Sequence, residues 1–522
     1  MPHEPVSDDR DDQSDTIAFL ASPDAHGGAP VDRIDTHASI LFLAGDRAWK
    51  LKRAVRYDYL DYSTAAKRRT MCEAELSVNR PGAPDLYRRV VPVTRDAGGR
   101  FAIDGAGEPV DWLIEMVRFS QDDLFDRLAV QGTLDAPAMQ ALAAAIAHVH
   151  ETAERRRDRG GHAGMAWVID GNASGFAAET ALAGVIDACT RVVAASRALN
   201  DRLRDDLDRR RDNGFVRRGH GDLHLGNIVR FRGRPTLFDA VEFNDAISCI
   251  DVMYDLAFVL MDLWRLDLRD LANALLNAYI AETLDLEGVR ALPLFLSCRA
   301  AVRAKTSATA ARLQVDASRR ETLAAQARGY VGVAERLLAP PDALLVAIGG
   351  LSGSGKSALA LRLAPDVGPA PGALVIRSDE VRKRLFGVSP LTPLGPESYT
   401  AGASSRVYHL VAERARTATA NGHAAIVDAT FLHSADRTAI EAAARDAGVP
   451  FVGLWLDAPE PARLDRARHR TADPSDADAA VILQQAVEGA ITWHRLDSAA
   501  LIADVADAAR RLLPLARPDD RR

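Results

Sequence analysis

The apolar run ALLVAIG, ending at Gly349, leads directly into Gly350-Leu351-Ser352-Gly353-Ser354-Gly355-Lys356-Ser357, and the helix-prone ALALRLA follows. Few features constrain a fold more. A GxxxxGK[ST] loop works only when a buried strand delivers it and a helix N-terminus receives it, because consecutive backbone N–H groups must curl round a phosphate. Gly350, Gly353 and Gly355 permit the curl, with Ser352 and Ser354 between them in the cradle. Lys356 reaches the outer phosphates of ATP or GTP and Ser357 offers an oxygen to Mg2+. Strand-like ALVIRSD, AAIVDAT and FVGLWLDA recur downstream between helical stretches. That alternation predicts a parallel α/β sheet.

Two of those strands end in carboxylates, Asp379 and Asp428. The C-terminal ends of parallel strands form the crevice where such sheets bind ligands, so Asp428 is expected to hold the water shell of Mg2+ and Asp379 to orient an acceptor hydroxyl. In RLDRARHR, Arg466 and Arg470 share a helical face suited to a lid over ATP phosphates. The set GLSGSGKS, SDEVRK, VDATF and the Arg-rich segment before PSDA resembles the small-molecule and nucleotide kinases of the P-loop class, including gluconate-kinase-like and zeta-toxin-like proteins. The resemblance runs from Leu344 to about Leu513. It implies Asp379 as the acceptor-activating carboxylate and Arg382 as a substrate contact. Domains of this type attract an AAA family ATPase label, but no arginine finger or hexamer-forming helical lid is recognisable.

A second constellation lies roughly 130 residues upstream. In His220-Gly221-Asp222-Leu223-His224-Leu225-Gly226-Asn227 an Asp precedes an Asn by five residues, and Asp239 follows in LFDAVEFN. Phosphoryl transfer to a hydroxyl needs a carboxylate that takes the acceptor proton and oxygen ligands for Mg2+. Asp222 fits the first need, Asn227 and Asp239 the second. His220 and His224 read as braces of the loop, since no third ligand of zinc type accompanies them.

HGDLHLGNIV followed by LFDAVEFN resembles the aminoglycoside phosphotransferase-like branch of the protein-kinase-like fold, over about Ile34 to Leu338. The resemblance implies a bilobal module with Asp222 as catalytic base, Asn227 and Asp239 as metal ligands and Asp255 as a support for the loop; Glu242 is left without a role. A strand Lys paired with a helix Glu is also implied. Lys50 and Lys52 face the same side of AWKLKRA, with Lys50 preferred, and CEAELSVN offers Glu73 or Glu75, with Glu75 preferred. Glu115 and Met116 match the hinge whose backbone would hold adenine. No GxGxxG loop is present; THASILFLAGD stands in its place.

The expected order is a disordered or peripheral N-terminal segment over 1–33, a kinase-like module over 34–338 with its small lobe to about 121, a linker at 339–342 where Pro340-Pro341 stops a helix, and a P-loop kinase domain over 343–515. The small lobe reads as strand-turn-strand over 38–54, a helix over 63–79 and further strands either side of Gly98-Gly99. The charge runs RRRDRGG and RLRDDLDRRRD read as solvated faces. A formal net charge of -7 argues against nucleic acid as the main partner. Cys72, Cys189, Cys249 and Cys298 have no metal or CxxC spacing and read as reduced, buried thiols. MPHEPVSDDRDDQSD is acidic and polar where a signal peptide would be basic and then apolar, and no apolar run is long enough to span a bilayer, so a cytoplasmic protein is expected.

These observations point to a bifunctional, Mg2+- and ATP-dependent phosphotransferase acting on hydroxyls of small molecules. The alternative is an ATP-binding regulatory protein in which one module alone is catalytic.

Overall fold

The computed structural model describes residues 11–36, 38–57, 60–469, 474–476 and 479–514. The chain forms two compact units, one of Met1–Asp170 with Asn200–Asp262, the other of Gly171–Leu199 with Leu263–Arg522.

The first unit begins with a six-stranded antiparallel sheet in the spatial order Val31–Asp35, Ser39–Ala44, Arg47–Lys52, Glu108–Val117, Tyr87–Arg95, Phe101–Ile103. Period-two alternation gives the sheet two apolar faces. Ile40, Phe42, Trp49, Leu51, Val91, Val93 and Leu113 form one, and Leu43, Ala48, Ile114 and Met116 meet Cys72 of helix Ala65–Asn79 on the other. Thr64 caps that helix by accepting from the Lys67 N–H.

The segment before residue 34 departs from expectation. Residues 1–10 lie outside the described residues, but from Asp11 onward the chain is built into the lobe. Leu20, from helix Ser14–Leu20, completes the first apolar face. The buried Gln13 amide donates to Asp111 Oδ2 at 2.7 Å and to the Lys52 carbonyl at 3.0 Å. The polar composition concealed a few apolar contacts, with Ile17, Phe19 and Val31 packing beside Leu20, and a glutamine that satisfies buried backbone.

Downstream, the HGD loop lies between strand Val216–Arg218 and the hairpin Ile228–Phe231 with Arg234–Leu237. One of the charge runs is not simply solvated. Arg210, in helix Arg204–Asp212, is buried and grips Asp251 through two bonds of 2.7 and 2.9 Å.

The second unit carries a five-stranded parallel sheet in the order Leu374–Arg377, Ala425–Asp428, Leu345–Gly349, Phe451–Asp457, His494–Asp497. The last strand has no counterpart in the sequence reading, because its HRLD pattern buries only Leu496. Val346, Ile348, Leu359, Leu363, Ile426, Leu454 and Val505 are among the residues of its core.

The compact units do not part at residues 339–342. Helix Ala317–Leu337 does stop before the two prolines, yet the helices from Leu263 onward belong with the parallel sheet. Helix Arg269–Thr283 lies along edge strand Leu374–Arg377. Asn277 Oδ1 accepts from the Val375 N–H at 2.7 Å, while its Nδ2 donates to the Ala373 carbonyl at 3.1 Å. Asn273 Nδ2 donates to the same carbonyl at 3.0 Å. The side-chain amide of Asn277 thus acts as a one-residue substitute for a neighbouring strand.

The four cysteines are buried and unpaired, and burial pushes the Cys72 and Cys298 thiols up to about 12. No helix among the described residues is long and apolar enough to cross a membrane.

Two candidate phosphoryl-transfer sites

In the first unit, the strand Arg47–Lys52 presents Lys50 and Lys52 on one face of the sheet, opposite helix Ala65–Asn79. Glu75 lies between them. Lys50 Nζ donates to Glu75 Oε1 at 2.7 Å and Lys52 Nζ to Glu75 Oε2 at 2.6 Å. Each lysine reaches a second carboxylate, Lys50 to Asp239 at 2.5 Å and Lys52 to Glu242 at 2.6 Å. Burial alone would lower both lysine pKa values, but the facing carboxylates outweigh it and push both well up. Burial likewise opposes ionisation of Glu75, and the two ammonium groups overcome it, holding its pKa at about 2. Glu73 instead pairs with Arg69 on the exposed face of the same helix.

The HGD loop is set by Asp255. Its Oδ2 accepts from the His220 N–H at 2.6 Å and its Oδ1 from the Gly221 N–H at 3.0 Å. A Cβ on Gly219 would fall 2.4 Å from Asp255 Oδ2, so the approach requires glycine. His220 Nδ1 accepts from the Asp222 N–H, and its Nε2 lies 2.8 Å from the Phe238 carbonyl, which suits the neutral ring. Burial lowers the His220 pKa further.

Asn227 Nδ2 donates to the Asp222 carbonyl at 2.9 Å and to its Oδ2 at 3.2 Å. Its amide nitrogen is therefore committed, and a metal would take Oδ1. His224 Nε2 lies 3.4 Å from Asp222 Oδ2. Asn227 and Asp239 flank the same end of the hairpin, where the Phe238 N–H donates to the Asn227 carbonyl. Asp239 adopts a left-handed backbone, φ 63°, which is uncommon for a residue with a Cβ. Its N–H donates to the Tyr87 hydroxyl and the following Ala240 N–H to Asn79 Oδ1. The structure thus brings Lys50, Glu75 and Asp239 into direct contact, and Asp222 with Asn227. Met116 sits inside strand Glu108–Val117, in register with Ala48 and Tyr87, and the connection out of the sheet begins just after it at Arg118. Glu115 ion-pairs with Arg89 and Arg47.

The P-loop of the second unit has the geometry its glycines imply. Gly350, Gly353 and Gly355 have φ of 141°, 82° and 95°. A Cβ at Gly353 would come within 2.6 Å of the Arg463 carbonyl. Lys356 Nζ donates to the Leu351 carbonyl at 3.1 Å across the loop. Ser357 Oγ donates to Asp428 Oδ2 at 2.5 Å, which places both expected Mg2+ groups together. Arg466 donates to the Ser354 carbonyl at 3.3 Å and to the Ser498 carbonyl at 2.6 Å. Arg470 lies outside the described residues.

Asp379 opens the helix Ser378–Leu385 at the end of its strand. Burial and the Asp428 carboxylate push its pKa up, with Lys356 and Arg377 opposing. Beyond it, Lys383 Nζ donates to both oxygens of Asp476 at 2.6 Å, and the Tyr399 hydroxyl donates to Asp476 Oδ2 at 2.6 Å. The Arg382 guanidinium lies 4.7 Å from the centre of the Tyr399 ring. Gln485 reaches back to the loop, accepting from the Ser352 N–H at 2.7 Å and donating to Ser352 Oγ at 2.8 Å.

Sequence reasoning assigned no role to Tyr62, Tyr87, Tyr399 and Gln485, which stand outside every motif, or to Asn79 and Asp476, which stand inside the quoted stretches CEAELSVN and PSDA. It also passed over Arg377, although that residue adjoins the Ser-Asp pair already singled out. Among the described residues no cluster of three His, Cys, Asp or Glu side chains could cage a metal. The hard oxygens of each site, Asn227 and Asp239 in one and the contacting Ser357 and Asp428 in the other, suit Mg2+, which keeps waters and phosphate oxygens as its remaining ligands.

Residues 345–487 match the family model described as the AAA domain. Uncharacterised proteins of Mycobacterium bovis and Mycobacterium tuberculosis are each 29% identical over 489 residues, spanning 90% of this chain and 92% of their own length. Among solved structures, a choline/ethanolamine kinase family protein from Mesorhizobium loti is 13% identical, covering 62% of this chain and 98% of its own, with a TM-score of 0.38. A sugar kinase from Janibacter sp. is 19% identical, covering 34% of this chain and 96% of its own, with a TM-score of 0.26.

Proposed function

We propose that the chain is an ATP-dependent phosphotransferase with two separate sites, each passing the γ-phosphate of ATP to a hydroxyl of a small molecule. The observation that carries this reading is the ion-pair chain Lys52–Glu75–Lys50–Asp239, buried as far as Lys50 and open to solvent at Asp239. It holds a cation ready for phosphate beside a carboxylate ready for Mg2+. A scaffold that only bound nucleotide would not need Asp222 as well.

In the first site Lys50, fixed by Glu75, neutralises ATP phosphate oxygens. Asn227 and Asp239 would hold the Mg2+, which supplies charge neutralisation at the phosphates when bound. Asp222 orients the acceptor hydroxyl and takes its proton as the O–P bond forms. Asn227 and His224 limit how that carboxylate can turn.

In the second site the backbone N–H groups of the P-loop and Lys356 bind the phosphates, and Ser357 and Asp428 would hold Mg2+. Asp379, with its raised pKa, is the better base for the acceptor proton. Arg382, beside Tyr399, is the proposed substrate contact, and Arg466 the lid cation. Cytoplasmic location belongs to the same reading, as do the two functional modules, 34–338 and 343–515.

The test is to incubate the protein and its Asp222→Ala and Lys356→Ala variants with labelled ATP and a metabolite extract. Each variant is expected to lose its own set of labelled products. If neither variant changes any product and only ATP hydrolysis responds to Lys356→Ala, the two-site transferase is refuted.

A further inference from the structure

Strand Leu374–Arg377 runs parallel to strand Ala425–Asp428 with Arg377 in register with Asp428. That register sets a buried guanidinium against the two groups proposed to hold Mg2+. Arg377 Nη2 donates to Ser357 Oγ at 3.0 Å and Nε to Asp428 Oδ2 at 3.4 Å. Its third nitrogen, Nη1, donates to Glu380 Oε1 at 3.2 Å, on the side away from that pair. Three carboxylates, Asp379, Glu380 and Asp428, repel one another here. Burial and Asp428 push the Glu380 pKa up, and Arg377 is the first group to oppose them.

A divalent cation at Ser357 needs the same Oγ lone pairs that Arg377 uses, and its water shell needs the same Asp428 oxygen. A unit positive charge and a divalent cation cannot share so close a space without strong repulsion. We infer that Arg377 is a resident counter-cation of the P-loop site. It holds Ser357 and Asp428 in place and keeps Asp428 company until a metal–nucleotide complex displaces it toward Glu380. Arg377 is thus a positioning residue that sets the affinity of the site for its metal. The planar fork allows this, because it can release two bonds on one side while keeping the third on the other. The inference rests on the reading of the P-loop as a metal–nucleotide site.

The experiment is a Mn2+ titration of the full chain at saturating ADP, followed by electron paramagnetic resonance, with Asp239→Ala in every sample, the reference protein unsubstituted at Arg377 included, so that the metal of the first site does not contribute. A purely structural arginine predicts that its loss loosens the site and weakens Mn2+. A competing cation predicts the opposite. Arg377→Gln and Arg377→Met, two uncharged variants in case one fails to fold, are expected to bind Mn2+ about five-fold or more tightly than the reference protein. Arg377→Lys, which keeps the charge, is expected within about two-fold of it. Unchanged or weaker Mn2+ binding in the folded uncharged variants overturns the inference and leaves the P-loop reading intact. Absence of ADP-dependent Mn2+ binding in the reference protein removes the P-loop reading and the inference with it.

Discussion

Lys50 and Lys52 hold opposite oxygens of one carboxylate, Glu75, at 2.7 and 2.6 Å. They differ in what else they touch. Lys50 faces Asp239, whose side chain is about half exposed, whereas Lys52 faces Glu242, which is buried and also accepts from the Tyr62 hydroxyl at 2.8 Å. One lysine looks toward the site and the other into the fold. The pair is best read as a functional cation supported by a structural one.

Substitution should separate the two. Lys52→Met strands Glu242 and half of Glu75 in a nearly dry site, at a cost of about 3–5 kcal/mol, so a large fall in Tm is expected. Lys50→Met leaves Asp239 able to reach water and should cost less stability, while phosphate transfer at this site falls about 100-fold or more. Thermal melts and labelled-product assays on the two variants check this; equal effects on both readouts would contradict the division of labour.

Asp222→Asn and Asp379→Asn each remove a proposed proton acceptor without removing a proposed phosphate contact. Turnover at the corresponding site should drop by about 10²–10⁴-fold while ATP affinity stays within about three-fold. Calorimetric ATP titration beside single-site turnover measures both quantities. A parallel loss of ATP affinity would assign these carboxylates to nucleotide binding.

His423 gives the second unit a pH dependence. Its ring is buried, its Nε2 lies 2.9 Å from the Gly372 carbonyl, and burial lowers its pKa from 6.5 to about 4. The unfolded chain binds the proton first as pH falls, so stability is full above pH 6.5 and declines toward pH 4. The gap corresponds to ~3 kcal/mol at its limit. His423→Gln keeps a donor for Gly372 and does not titrate. Urea midpoints between pH 7 and pH 4.5 should therefore fall more steeply for the unsubstituted protein than for this variant.

Asn277→Ala removes both bonds to the edge strand and leaves the Val375 N–H unpaired. A loss of about 1–3 kcal/mol is expected, read as a lower urea midpoint of the transition that reports on the parallel sheet. An unchanged midpoint would show that water replaces the amide without cost.

Both candidate sites were legible in the sequence where chemistry demands fixed spacing. HGDLHLGN and GLSGSGKS carried Asp222, Asn227, Lys356 and Ser357, and strand periodicity narrowed the lysine to two positions. The structure uses both lysines, because one carboxylate has two oxygens, and no pattern in a single strand reveals that. Glu242 had no assigned role for the same reason: its partners, Lys52 and Tyr62, are 190 and 180 residues away. Residues 1–33 read as disordered or peripheral because the apolar residues that pack on the lobe from 11 onward, Ile17, Phe19, Leu20 and Val31, are too few and too scattered to register as a pattern. Arg377 escaped notice because a charged residue at the end of a strand is ordinary until its neighbouring strand is known.

The Pro340-Pro341 step looks like a place to cut, and the edge strand beside Asn277 argues otherwise. A gene fragment beginning there would encode every phosphate-binding residue of the P-loop yet omit the helix that stoppers the sheet. The backbone of Ala373 and Val375 would then be left as an adhesive margin, open to the same margin on another copy. Such a fragment is expected to emerge as sticky, self-associating material, whereas one starting ahead of Arg269 would keep its margin sealed.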